Sequence, residues 1–237
     1  MIRSLNAVAV YSVTAFCLYR NKKGEVFLDS YQTILKAADA QFIERRSRFI
    51  GYAKPVSTEA DAIDFVNSIR KKHPDATHNV YAYVLREENK ARYSDDGEPQ
   101  GTAGMPVLEV IRRSGLTDCA VVATRYFGGV LLGAGGLVRA YTHTAKIAVA
   151  AATPVKMSRC YECSCRCDYS AYSSVQAILS ANSAFITNTE YTDEVRVFFN
   201  IESTLFERLK LDMTEKTAGR VDVSIGGEKF LPHEIEI

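Results

Sequence analysis

The most constraining feature of the chain is a glycine-rich segment, residues 128–136, in which five of nine residues are glycine. An apolar run over residues 118–126 precedes it, and a helical pattern that begins at about Gly136 and continues to Ala152 follows it. Glycine is costly in regular structure, so this density indicates a backbone with positive φ or one that another group approaches closely. The segment predicts a strand, a special turn and a helix, with function concentrated at the turn.

Composition narrows the function classes. The net charge of the 237 residues is +1, so the chain is not a polycation, and any surface for nucleic acid has to be a local patch. There is no run of about 18 apolar residues, so we expect a cytoplasmic protein without a membrane partner. Residues 1–19, within the first segment of residues 1–29, only faintly resemble a signal peptide. We expect a disordered or strand-adding extension there, or a start site assigned too early.

The first half of the chain predicts an α/β sandwich over residues 30–153. Strands are predicted over residues 31–36, 48–56, 78–85 and 118–126. Thr58 is a candidate cap for a helix over residues 59–72, and Thr102 or Gly104 opens a second helix.

The second half predicts a separate domain over residues 154–237. Thr153-Pro154 is a plausible boundary, because proline disfavours helix in the residue before it. The pattern that follows is strand, helix, strand, strand, helix, strand, which is the ferredoxin-like β-α-β-β-α-β order. The predicted class is therefore α+β, in two domains.

Four cysteines crowd together in the first strand of the predicted second domain. Cys163, Cys165 and Cys167 alternate along it and point the same way, with Cα atoms about 6.6 Å apart in succession. Thiolates so arranged do not close on one tetrahedral zinc ion, and disulfides are improbable in a cytosolic chain. We expect structural cysteines, no metal and no cofactor.

The glycine-rich turn also predicts an anion-binding surface. A glycine loop that leads into a helix presents free N–H groups at its N-terminus, and basic residues at i, i+4 and i+7 of the helix would extend the site. The candidate residues are Arg125, Gly128, Gly129, Gly135, Gly136, Arg139, His143 and Lys146. Tight packing of a helix on a sheet through glycines explains the same pattern. Arg45, Arg46 and Arg48 would add a basic edge, or would only protect a strand edge from aggregation.

A second group of residues suggests a pocket. Three carboxylates lie within four residues, and a histidine begins the strand before them. The carboxylates could bind a cation or pair with Arg125, and the histidine could serve as a base. The candidates are His78, Asn79, Asp95, Asp96, Glu98 and Thr102. Asp, Gly and Pro also form turns for reasons of backbone geometry alone.

Several long motifs in this order resemble those of the YigZ/IMPACT family. They are Ser47-Arg-Phe-Ile50, His73-Pro-Asp-Ala-Thr-His-Asn79, Ser94-Asp-Asp-Gly-Glu-Pro99, Gly101-Thr-Ala-Gly104, Arg125-Tyr-Phe-Gly-Gly129 and Leu132-Gly-Ala-Gly-Gly-Leu-Val-Arg-Ala-Tyr141. The resemblance implies a first domain similar to the second domain of a small-subunit ribosomal protein. It implies a second domain similar to the last domain of elongation factor G.

Two functions follow as hypotheses. The two domains that resemble parts of the translation machinery, together with the predicted anion surface from Arg125 to Lys146, suggest a non-enzymatic factor that binds RNA or the ribosome. The alternative is an enzyme that acts on a phosphorylated or peptide-like small molecule, in a pocket lined by His78, Asp95, Asp96, Glu98 and Arg125. The oligomeric state does not follow from the sequence.

Overall fold

The computed structural model describes residues 17–20 and 26–234. The chain forms two compact units there, the first containing residues 31–156 and the second residues 17–30 and 157–233. None of the helices in these ranges is both long and apolar enough to cross a membrane. The α+β class and the two-domain architecture predicted from the sequence are confirmed.

In the described part of the chain, four strands precede the first helix, and strands and helices are interspersed after it. The strands are β1 (Cys17–Arg20), β2 (Val26–Ile34), β3 (Ala38–Glu44), β4 (Ser47–Pro55), β5 (His78–Leu85), β6 (Lys90–Ser94), β7 (Cys119–Tyr126), β8 (Pro154–Cys167), β9 (Phe185–Tyr191), β10 (Val195–Glu202) and β11 (Val223–Glu234). The helices are α1 (Glu59–Lys72), α2 (Gly104–Arg113), α3 (Ala134–Ala151), α4 (Tyr172–Ala181) and α5 (Phe206–Lys216).

The first unit is an antiparallel sheet with helices on both faces. Its strand order is β3-β4-β7-β5-β6, so the apolar strand β7 lies in the middle, as the continuous apolar run predicted. Alternation along β4 sends Phe49 into the core that α2 and α3 cover. The same alternation sends Ile50 and Tyr52 into the core that α1 covers.

Local sequence explains how α1 begins. The Thr58 hydroxyl accepts a hydrogen bond from the Asp61 amide at 3.1 Å. The Asp61 carboxylate in turn accepts one from the Thr58 amide at 3.1 Å, which completes a capping box. Such a cap contributes about 1 kcal/mol to helix stability.

Helix α3 lies close to the sheet because the residues between them are small. A Cβ at Gly51 of β4 would lie 2.6 Å from the carbonyl oxygen of Thr144 and 2.9 Å from the Cβ of Ala148. Ala145 and Ala148 are buried on the facing side of α3. The alanine-rich end of this helix therefore packs closely against β4.

The second unit contains the predicted β-α-β-β-α-β order from β8 to β11. Its strand order is β1-β2-β8-β10-β9, with β11 also paired to β8. Cys163, Cys165 and Cys167 point into the core beneath α4 and α5, as free thiols. Burial raises the pKa of Cys163 to about 11 and that of Cys165 to about 12, as expected for unreactive thiols in an apolar core.

The structure departs from the sequence interpretation in three places. Strands β3 and β6 lie at the two edges of the first sheet and were not predicted, although Ala38, Ala40 and Phe42 do alternate as a strand. Residues 17–20 and 26–29, which we had placed in an extension, form β1 and the start of β2 in the second sheet. The remainder of that predicted extension lies outside the described residues.

Candidate functional site

Antiparallel pairing of β5 with β7 brings the motifs that contain His78, Asp96 and Arg125 to one end of the first sheet. His78, at the start of β5, is opposite Arg125, near the end of β7. The acidic loop that precedes α2 reaches the same place, since the Asn79 amide donates a hydrogen bond to the Asp96 carboxylate at 2.7 Å. Residues 17 to 47 positions apart in sequence therefore become neighbours.

At this end lies a group of polar side chains, all buried except the half-buried His78, that we call the buried cluster: Ser47, His78, Glu98, Arg125 and Tyr141. Arg125 Nη1 donates to Glu98 Oε1 at 2.6 Å, and the Tyr141 hydroxyl donates to the same oxygen at 2.8 Å. Arg125 is 5% exposed and Glu98 is 8% exposed. Burial, with the adjacent Glu98 carboxylate, raises the pKa of Tyr141 far above its usual range, so this hydroxyl stays protonated and acts as a donor.

Arg125 is not fully satisfied by this pairing. Its Nη2 lies 3.5 Å from the Ser47 hydroxyl, and its buried Nε has no hydrogen-bond partner. The guanidinium lies between two aromatic rings, with Cζ at 5.5 Å from the Phe49 centroid and at 5.4 Å from the Phe127 centroid. The side chain therefore ties β7 to its neighbours and is not displayed to solvent.

The tautomer of His78 follows from its partner. His78 Nδ1 lies 2.8 Å from the carbonyl oxygen of Asp96, which can only accept, so Nδ1 carries a proton. In the neutral ring Nε2 then has a free lone pair, 3.8 Å from Glu98 Oε1. A ring oriented in this way could act as a base or as a ligand.

The carboxylates of the acidic loop are engaged by the protein itself. Asp95 accepts hydrogen bonds from the amides of Gly101, Ala103 and Gly104 at 2.9, 3.1 and 2.8 Å. Asp96 accepts from Arg70 Nη2 at 2.7 Å as well as from the Asn79 amide.

Two further pocket candidates also hold the local backbone and strands together. The Thr102 hydroxyl donates to the Pro99 carbonyl at 2.6 Å, and the Asn79 side chain accepts from the Thr124 hydroxyl at 2.9 Å. The predicted pocket residues thus converge, but most of them hold the turn in place.

Residues Phe127 to Gly133, which we call the glycine loop, lie against the turn between β3 and β4. A Cβ at Gly128 would come within 2.1 Å of the Arg46 carbonyl group, so only glycine fits there. Gly129 and Gly133 have positive φ values of 81° and 70°. The Gly128 amide donates to the Ser47 hydroxyl at 3.2 Å, so the protein itself occupies this amide.

The predicted anion-binding surface is therefore divided, because Arg125 pairs with Glu98 inside the fold, whereas Arg139, His143 and Lys146 are exposed along α3. The sequence suggested that the acidic loop could pair with Arg125, but it did not show that the pair is buried, because burial depends on segments that are distant along the chain. Gly135 and Gly136 lie in the first turn of α3, and nothing lies within 4 Å of a Cβ placed at Gly135.

An open cavity of about 300 Å³, which we call the basic depression, adjoins the exposed face of α3. Its lining residues are Phe42, Glu44, Arg45, Leu132, Gly136, Arg139, Ala140 and His143. The sequence suggested that Arg45 would either add a basic edge or protect a strand edge, whereas Ser47 and Tyr141 appeared only as parts of motifs. Tyr141 lies between the candidates Arg139 and His143 in the sequence, and its local sequence gives no sign that its partner is Glu98.

Known proteins match both halves of the chain. The Impact N-terminal domain matches residues 45–149, and a domain of unknown function, DUF1949, matches residues 165–220. The IMPACT family member YvyE of Bacillus subtilis (strain 168) is 35% identical over 205 residues, which are 86% of this chain and 94% of that protein. The chain belongs to the IMPACT family.

Two further similarities extend this assignment. The IMPACT family member YigZ of Escherichia coli (strain K12) is 35% identical over 67% of this chain and 80% of that protein. A solved structure described as the crystal structure of a hypothetical protein superposes with a TM-score of 0.53. Its sequence is 28% identical to this chain, and the match covers 83% of this chain and 97% of that one. The residues matched by the Impact N-terminal domain include the whole buried cluster.

Proposed function

We propose that this member of the IMPACT family is a non-enzymatic, translation-linked factor of the cytoplasm that binds RNA or the ribosome through the basic depression. The observation that carries the proposal is the meeting of Arg45, from the turn between β3 and β4, with Arg139 and His143 from α3. Cations from separate elements around one concave surface suit a phosphate backbone.

The backbone of the turn supports the proposal. Arg45 and Arg46 form a two-residue connection between β3 and β4, with φ values of 43° and 66°. Hairpin turns of this kind favour Asn-Gly, because the left-handed conformation costs most other residues about 1–2 kcal/mol each. Two arginines at these positions lower the stability of the turn and place two positive charges at the surface.

The charges around the depression are available for a ligand. Arg45, Arg46, Arg139 and Lys146 form no ion pair with any residue in the described part of the chain. Glu44 is the carboxylate among the lining residues. A local excess of positive charge on a chain of net charge +1 is the pattern expected for a restricted site of RNA contact.

The test is RNA affinity as a function of salt, measured by fluorescence anisotropy, together with cosedimentation with ribosomes. We expect the double variant Arg45→Ala/Arg139→Ala to bind more weakly and to lower the salt slope by about 1 for each lost phosphate contact. Arg112→Ala/Arg113→Ala is a matched control, since these exposed arginines of α2 form ion pairs with Glu109 alone among the described residues. Equal affinity and equal slopes for both double variants would remove the proposal.

The convergence of His78, Glu98 and Arg125 favours a second candidate, an enzyme acting on a phosphorylated or peptide-like small molecule. His78, with Nδ1 held by a carbonyl oxygen and Nε2 free, has the arrangement of a general base. A substrate screen with His78→Gln as the comparison tests this candidate. Turnover that is unchanged in His78→Gln would assign the chemistry to another part of the molecule.

A further inference from the structure

We infer, building on the proposed function, that the ligand of this surface is single-stranded RNA and that Phe127 stacks on one of its bases. The inference rests on the glycine loop, which carries three exposed apolar side chains. Phe127 is 45% exposed, Val130 36% and Leu131 81%. Soluble proteins expose single apolar side chains routinely, but a group of them beside unpaired cations indicates a binding surface.

Each end of the glycine loop lies beside arginines, so the exposed apolar side chains are close to the cations. Phe127 precedes Gly128, whose backbone packs directly against Arg46. At the other end Leu132 lines the basic depression beside Arg45 and Arg139. A strand of RNA whose phosphates lie along these arginines would therefore pass the Phe127 ring.

Phe127 is held in place before any ligand arrives. Its amide donates to the Thr77 hydroxyl at 3.0 Å. Its ring packs on the guanidinium of Arg125, which Glu98 fixes in turn. An aromatic ring fixed in this way loses little conformational entropy when a base stacks on it, which favours binding.

The exposed ring favours a single strand over a duplex. Bases within a duplex are stacked on each other, and proteins recognise double-stranded RNA mainly through its shape, phosphates and 2′-hydroxyl groups. A single strand offers unstacked bases, and each base stacked on an aromatic side chain strengthens binding substantially.

A second copy of this chain fits the surface less well. A symmetric contact would bring Arg45, Arg46 and Arg139 towards the same residues of the partner, and like charges brought together oppose association. A nucleic acid strand instead places negative charge beside these arginines and a flat base beside the ring.

The absence of tryptophan from the chain allows a direct test. Phe127→Trp places one fluorophore in the loop, and Tyr93→Trp places one at a comparably exposed aromatic position on β6. Both variants are titrated with oligouridine of about 12 nucleotides and with a duplex of the same length. We expect the single strand to quench the emission of Phe127→Trp and to leave that of Tyr93→Trp unchanged, and the duplex to quench neither.

Affinity measurements complete the test. Phe127→Ala should bind the single strand about tenfold more weakly, while Phe127→Tyr retains the affinity of the unaltered protein. Suppose that the unaltered protein binds RNA, that RNA leaves the emission of Phe127→Trp unchanged, and that Phe127→Ala binds as tightly as the unaltered protein. The stacking inference is then wrong, and the proposed function survives. Absence of any RNA binding overturns both. Quenching that rises with protein concentration alone would assign the surface to a second copy and overturn the inference.

Discussion

Arg125 and Glu98, 27 residues apart in the chain, form an ion pair at 2.6 Å in which both side chains are almost completely buried. Such a pair fixes the acidic loop onto the middle strand of the sheet. Taking the two charges out of water costs much free energy, so the pair adds little net stability. Its main effect is to fix the position of the loop. Removing one partner, however, leaves the other charge buried without compensation.

We expect Glu98→Gln to lower the free energy of unfolding of the first unit by about 3–5 kcal/mol, because Arg125 loses its counter-charge. Chemical denaturation followed by far-UV circular dichroism measures the change. Glu109→Gln, which breaks only exposed ion pairs on α2, is the control and should change the value by less than about 1 kcal/mol. Comparable effects of the two substitutions would show that the buried pair contributes no more to the free energy of unfolding than the exposed pairs do.

Gly128→Ala and Gly135→Ala are a matched pair of substitutions in the same glycine-rich segment, residues 128–136. The first places a Cβ 2.1 Å from the Arg46 carbonyl group, whereas the second meets nothing within 4 Å. We expect Gly128→Ala to destabilise the protein by roughly 1–3 kcal/mol or more, and Gly135→Ala to be neutral or stabilising by about 0.5–1 kcal/mol. Thermal unfolding measures both. Similar melting temperatures for the two variants would contradict the close approach at Gly128.

Replacing Arg45-Arg46 with Asn-Gly should change stability and binding in opposite directions. The left-handed turn would lose its steric cost, so the free energy of unfolding should rise by about 1–2 kcal/mol for each position relieved. The affinity for RNA should fall, since two cations of the surface are gone. Chemical denaturation and fluorescence anisotropy on the same preparation measure the two effects. A variant that is more stable and binds equally well would argue against a functional turn.

His73 lies between two tyrosines and should make stability dependent on pH. The Tyr52 hydroxyl is 2.6 Å from its Nε2, and the Tyr126 hydroxyl is 2.8 Å from its Nδ1. Burial, with help from the nearby cations Lys72 and Arg48, lowers the pKa of His73 below 6.5. The folded state therefore favours the neutral ring, and its contribution to stability is fully present above about pH 6.5 and declines as the pH falls.

The measurement is the difference in melting temperature between the unaltered protein and His73→Gln from about pH 8 to pH 5. We expect this difference to shrink as the pH falls, because only the unaltered protein loses the stabilisation that the neutral ring provides. The other three of the four histidines are present in both proteins and cancel in the comparison. A difference that stays constant over this range would mean that His73 has the same pKa folded and unfolded.

Local sequence determined the elements and the places where the backbone needed glycine. The apolar period and the Thr58 cap defined α1 over residues 59–72, and the apolar run defined the middle strand β7. The edge strands β3 and β6 were not predicted. The alternation in β3 was overlooked, whereas β6 is a five-residue segment, and pairing with β4 and β5 completes the two strands.

The tertiary structure alone decided which charged residues are exposed. Arg125 and Arg139 lie 14 positions apart around one glycine-rich turn, and the sequence assigned both to one surface. Strand pairing and the acidic loop bury the first beside Glu98 and Tyr141, while the outer face of α3 leaves the second in solvent. A periodic pattern reports which side of an element is apolar, whereas the burial of a charge depends on partners that folding brings from distant segments.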